Sequence, residues 1–133
     1  MRELKFRYVL RSRADGKISY KWRTLCQIEY GLENLFKIDN YKIISRDQYT
    51  GLKDVNDKKI CEGDILRCTS QSPEAKDKMF NAEVYFCVGT ATCEYKVKNG
   101  RWHKGLSSNK IYNWEAEIIG NIYENPELLE GSN

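Results

Sequence analysis

Apolar and polar residues alternate with period two along much of this chain. Residues 4–11, LKFRYVLR, set Phe6, Tyr8 and Leu10 against Lys5, Arg7 and Val9, and residues 18–25, ISYKWRTL, set Ile18, Tyr20 and Trp22 against Lys21 and Arg23. Period two predicts half-buried strands. Asp15-Gly16 between them supplies residues that tolerate a hairpin turn, so the chain opens on a β-hairpin with a basic outward face. Further strands are predicted at YKIIS (41–45), DILRCTS, FNAEVYFCV, ATCEYKVK and IYNWEAEIIGNIY, with a tight turn at Asn99-Gly100-Arg101. Residues 26–40 admit either a short strand or one helical turn. NPELLEG predicts a short C-terminal helical turn, with Asn125 as N-cap, Pro126 at the first helical position and Gly131 after the last. Short strands separated by turn residues predict a mainly β fold.

At 133 residues, with 41% apolar and 12% aromatic content, the chain is long enough for one core of ordinary size or a barrel with an N-terminal appendage. It has no stretch of about 20 apolar residues and no signal-peptide pattern at its start, so the expectation is a cytoplasmic protein with no membrane partner. Five cysteines at irregular spacings, without a C-x-x-C pair, predict reduced, strand-borne, mostly buried thiols and no metal.

The segment QYTGLKDVNDKKICEGDIL, residues 48–66, has the look of a site. As a calcium loop starting at Asp54 it fails, because Lys58, Lys59 and Ile65 stand where a ligand, the turn glycine and the closing Glu belong. As a phosphate loop it lacks convergent glycines. Asp54, Glu62 and Asp64 could serve a metal-dependent hydrolase, but lysines beside them predict solvated ion pairs. The structural reading accounts for more residues. Gly51 and Gly63 suit backbone angles closed to other residues, residues 54–57 form a polar turn, and Asp64 accepts from loop amides where the next strand begins. His103 is a lone histidine in a basic loop. No catalytic residue, metal or cofactor is predicted.

Charge is distributed unevenly. Residues 1–23 carry eight Lys/Arg against Glu3 and Asp15; residues 95–114 carry five cations and no acid; residues 115–133 carry five Glu and no base. In 95–114, Tyr95, Trp102, Tyr112 and Trp114 interleave with Lys96, Lys98, Arg101, Lys104 and Lys110, the combination that stacks bases and holds phosphates. The simpler reading buries the aromatics and lets the acidic tail neutralise the lysines.

The motif QYTGLKD, the turn at Asn56 and Lys58, the run Ile60, Glu62, Gly63, Asp64, Ile65, and IGNIYENPELLE at 119–130 resemble the signature of the YopX family of phage and prophage proteins. The opening MRELKFR is similar to the usual family start. The match departs at Asp57, where the turn usually carries Gly, and at Cys61, where an aromatic is usual. The resemblance implies a small SH3-like barrel in the C-terminal part, residues 48–133; the hairpin and extension over residues 1–47 precede it, and the chain length predicts one core shared by both. It also implies a phage or prophage origin, with no established activity. The resulting expectation is a non-enzymatic binding protein acting on a protein partner or its own copies. Nucleic-acid binding through residues 1–23 and 95–114 is the alternative, and a hydrolase using Asp54, Glu62 and Asp64 a third.

Overall fold

The structure, a computed structural model, describes residues 4–29, 40–71, 73–74, 78–88 and 93–130. The expected cap at Gly131 and most of the ambiguous 26–40 stretch lie outside these. The described chain is mainly β. Its strands are β1 (Lys5–Ser12), β2 (Ile18–Thr24), β3 (Tyr41–Lys53), β4 (Lys59–Cys61), β5 (Asp64–Thr69), β6 (Met79–Val88), β7 (Cys93–Asn99), β8 (Trp102–Gly105) and β9 (Glu117–Asn121). Two short helices, α1 (Leu25–Glu29) and α2 (Ser108–Trp114), and a 3-10 turn at Pro126–Leu129 complete it. The chain divides into two compact units, Met1–Tyr49 and Thr50–Asn133.

In the first unit β1 pairs antiparallel with β2, from Lys5 opposite Thr24 to Arg11 opposite Ile18, and on its other edge with the first part of β3. The connecting turn places Gly16 at φ 73°, as the Asp-Gly pair predicts, and Asp15 accepts the Lys17 amide at 3.0 Å. The basic face is not wholly outward. Arg7 to Leu10 are all buried, and the Arg7 guanidinium lies 3.1 Å from Asp47 Oδ2 and over the Tyr20 ring. Ser45 donates to the other Asp47 oxygen at 2.7 Å, so both oxygens of the buried carboxylate accept a hydrogen bond. A thiol expected on a strand, Cys26, sits exposed on α1, because Thr24 starts a helical turn by exchanging hydrogen bonds with Gln27.

In the second unit five strands form an antiparallel sheet in the order β8-β7-β6-β5-β9. Alternate residues face one core: Leu66 and Cys68 from β5, Ala82 and Val84 from β6, Val97 from β7, with Ile60, Ala116, and Ile111 and Trp114 of α2. The segment 50–66 behaves as a hairpin leading into a strand. Gly63 has φ 85° between β4 and β5, and Asp57 takes the left-handed position at φ 66° in the turn. Gly51 also has positive φ, 86°, but lies within β3, which runs on to Lys53 instead of ending at the glycine. The strand expected over 111–123 is a helix followed by a strand. Ser107 accepts the Lys110 amide at 3.2 Å and caps α2; Glu115, in the left-handed conformation, ends it; Ile111 and Trp114, three apart, turn one helical face to the core. At the last turn Asn125 does not cap through its side chain; its Oδ1 accepts from the Asn121 amide at 3.3 Å.

Candidate binding site

The carboxylates singled out in the central segment hold backbone. Asp54, 6% exposed, accepts the amides of Asn56 and Lys58 through Oδ1 and that of Ile118 through Oδ2, all at 2.9 Å. Asp64, 1% exposed, accepts the Cys61 amide at 2.8 Å. Both bind the turn and the strand start to their surroundings. Among the described residues no group of three or more His, Cys, Asp or Glu side chains is gathered to hold a metal ion. Cys61 and Cys68 are buried, and burial pushes the Cys68 thiol up to about 12.

The basic, aromatic stretch is divided between two faces of the sheet. The β7–β8 register sets His103 opposite Lys98 and Lys104 opposite Val97. On the face away from the core, the Tyr85 hydroxyl lies 2.7 Å from His103 Nδ1, Lys98 Nζ sits over the Tyr85 ring, and Lys98 pairs with Glu83 at 3.9 Å. Lys96 alternates onto this face too. Arg101 is exposed in the turn before β8. Tyr112, 80% exposed, points away from the core, whereas Tyr95 and Trp114 are buried.

On the core side, Trp102 and Lys104 face a pocket of about 290 Å³ lined also by Ser70, Gln71, Phe80 and Trp114. Four of the six lining residues are placed there by their strands and by α2. The alternation of β8 puts Trp102 and Lys104 on one side, α2 delivers Trp114, and the β5–β6 register sets Phe80 opposite Cys68. The rings support each other: Phe80 meets Trp102 edge-on at 5.1 Å and Trp114 at 6.1 Å, and the two tryptophans are 6.0 Å apart, tilted by 51°. Lys104 Nζ lies 5.5 Å from the Trp102 centroid and Lys110 Nζ 6.0 Å from that of Trp114. The acidic tail does not take these lysines: Glu117 pairs with Arg67 at 2.8 Å, and among the described residues no carboxylate pairs with Lys104 or Lys110. The sequence indicated Trp102, Lys104 and Lys110 but not Phe80, Ser70 or Gln71, which lie outside the basic stretch.

A two-stranded N-terminal hairpin, a five-stranded antiparallel sheet and an aromatic pocket edged by lysine define a small, mainly β protein. The chain belongs to the YopX family, whose model, described as YopX protein, matches residues 2–130. Among solved structures it is similar to the crystal structure of protein EF1440 from Enterococcus faecalis, at 26% identity over 92% of this chain and 75% of that one, with a TM-score of 0.48. No curated protein matches it. No helix among the described residues is long and apolar enough to cross a membrane.

Proposed function

We propose that this chain is a non-enzymatic binding protein of phage or prophage origin, working in the cytoplasm of a bacterial host, and that it engages nucleic acid through the pocket between Phe80, Trp102 and Trp114. The observation that carries the reading is the placement of Lys104 and Lys110 against the rings of the two pocket tryptophans, with no carboxylate partner among the described residues. Ring faces and cations at one place are what bases and phosphates require. In this reading the second unit is built on the SH3-like barrel that the family resemblance implies.

A protein partner or a second copy, the class expected first from the sequence, ranks second. Aromatic residues favour such contacts, but lysine is depleted at the centre of protein interfaces. Hydrolysis ranks third, because Asp54 and Asp64 already spend oxygens on backbone amides. Affinity capture from bacterial lysate, run with and without nuclease and followed by gel shift on purified protein, tests the order. Nucleic acid in the untreated eluate and a direct gel shift are expected. A protein partner retained after nuclease, with no gel shift, would reverse the first two readings.

A further inference from the structure

We infer that the pocket receives one unpaired base, so that the chain prefers single-stranded nucleic acid to duplex. This rests on the nucleic-acid reading above and adds the form of the ligand. At about 290 Å³ the pocket lies just below the roughly 300–1,000 Å³ of small-molecule sites, room for one flat ring system and little more. Its walls are aromatic, and every base offers a π face to them without regard to sequence. Gln71 is exposed at the rim, and its amide carries both donors and acceptors for a base edge.

Lys104 completes the argument. Its ammonium lies over the Trp102 ring at 5.5 Å, near the face a base would stack on. The exposed, flexible lysine can swing aside as a base arrives, and a backbone phosphate of that nucleotide is then within its chemistry as a new partner. In a duplex the base faces are covered by their neighbours, and presenting one to a concave pocket requires extruding it against pairing and stacking. Single strands bear no such cost. The pocket's concavity therefore selects strand form, while its lysines supply attraction without sequence readout.

The test is a tryptophan-fluorescence titration of the full chain at low salt, with an unstructured oligothymidylate and with a mixed-sequence duplex. Binding of the single strand at least about tenfold tighter is expected, and Trp102→Ala should weaken it by about 10- to 100-fold while leaving duplex affinity nearly unchanged. Trp102 also packs against Phe80, so Trp102→Leu, which keeps apolar bulk without an aromatic face, and Trp102→Phe, which keeps a ring, are measured beside it. The leucine variant should lose binding and the phenylalanine variant retain most of it, both remaining folded by circular dichroism. Equal affinity for duplex and single strand, or a folded Trp102→Leu protein with unchanged single-strand affinity, would overturn the inference while leaving nucleic-acid binding in place. Binding to neither probe would overturn both.

Discussion

Asp54 Oδ2 accepts the amide of Ile118 at 2.9 Å, joining the turn after β3 to the last strand across 64 residues of sequence. Its other oxygen closes the turn itself on Asn56 and Lys58, and Val55 donates to the Ala116 carbonyl at 3.0 Å beside it. One carboxylate thus fixes both the local loop and its long-range anchorage. The acidic look of the segment is explained by backbone bonding, and that makes a mutational statement possible.

Asp54→Ala leaves several amides without their acceptor, and charged acceptors of this kind are worth more than neutral ones. The expected loss is about 2–4 kcal/mol of stability, measured by urea denaturation. Asp64→Asn keeps an acceptor oxygen for Cys61 but weakens it, and about 1–2 kcal/mol is expected. A metal-dependent hydrolytic activity abolished by either change, with the melting temperature unmoved, would restore the hydrolase reading.

Cys68 gives a pH dependence. Burial raises its thiol to about 12 in the folded chain, against 9.0 for the ordinary value. Below about pH 9 both states hold the proton and the contribution is constant. Above it the unfolded chain loses the proton first, so stability falls by up to about 1.4 kcal/mol per pH unit until the folded thiol also ionises. Cys68→Ala should remove this alkaline slope at the expense of a small cavity. In the native protein at pH 8, Cys26 should react with a thiol reagent at once, and Cys61 and Cys68 only on unfolding. Fast native labelling of Cys68 would contradict its burial.

The elements read correctly from sequence are those whose signals are local. Asp15-Gly16 makes its turn, Asp57 and Gly63 take positive φ, and the β6 and β7 alternation sends Val84 and Val97 inward. The failures have physical causes. Period two assigns Arg7 to a wet face, but Arg7 to Leu10 are all buried and Asp47 pairs with the guanidinium. Helix α2 is not legible in the sequence because Trp114, Ala116 and Ile118 continue a period-two pattern through the helix end. The pocket was half legible. Trp102, Lys104 and Lys110 stand in one run, whereas Phe80 joins them only through the β5–β6 register and Gln71 only through the chain after β5.

Gly120 reports on the C-terminal turn. A Cβ there would stand 2.5 Å from Asn125 Oδ1 and 2.9 Å from Asn125 Cβ, so Gly120→Ala must displace the side chain that accepts the Asn121 amide. A loss of about 1–2 kcal/mol is expected. The coupling is checked by a double-mutant cycle with Asn125→Gly, which removes both obstructing atoms. In that background the alanine should cost much less, and strict additivity would show that the clash is not its cause.

The last expectation concerns salt. A cation that neutralises a phosphate releases a counterion, and for single strands each such contact contributes about −0.7 to the slope of log K against log salt. Lys104 and Lys110 lack a carboxylate partner among the described residues, so Lys104→Gln and Lys110→Gln together should reduce the magnitude of that slope by about 1.4. Lys98 is different, because Glu83 lies 3.9 Å away and its ammonium caps Tyr85 on the opposite face. Lys98→Gln should therefore leave the slope nearly unchanged. Filter-binding titrations from low to physiological salt measure all three. If Lys98→Gln lowers the slope as much as the pair does, the nucleic acid lies on the outer face with His103 and Tyr85, and the pocket is not where it binds.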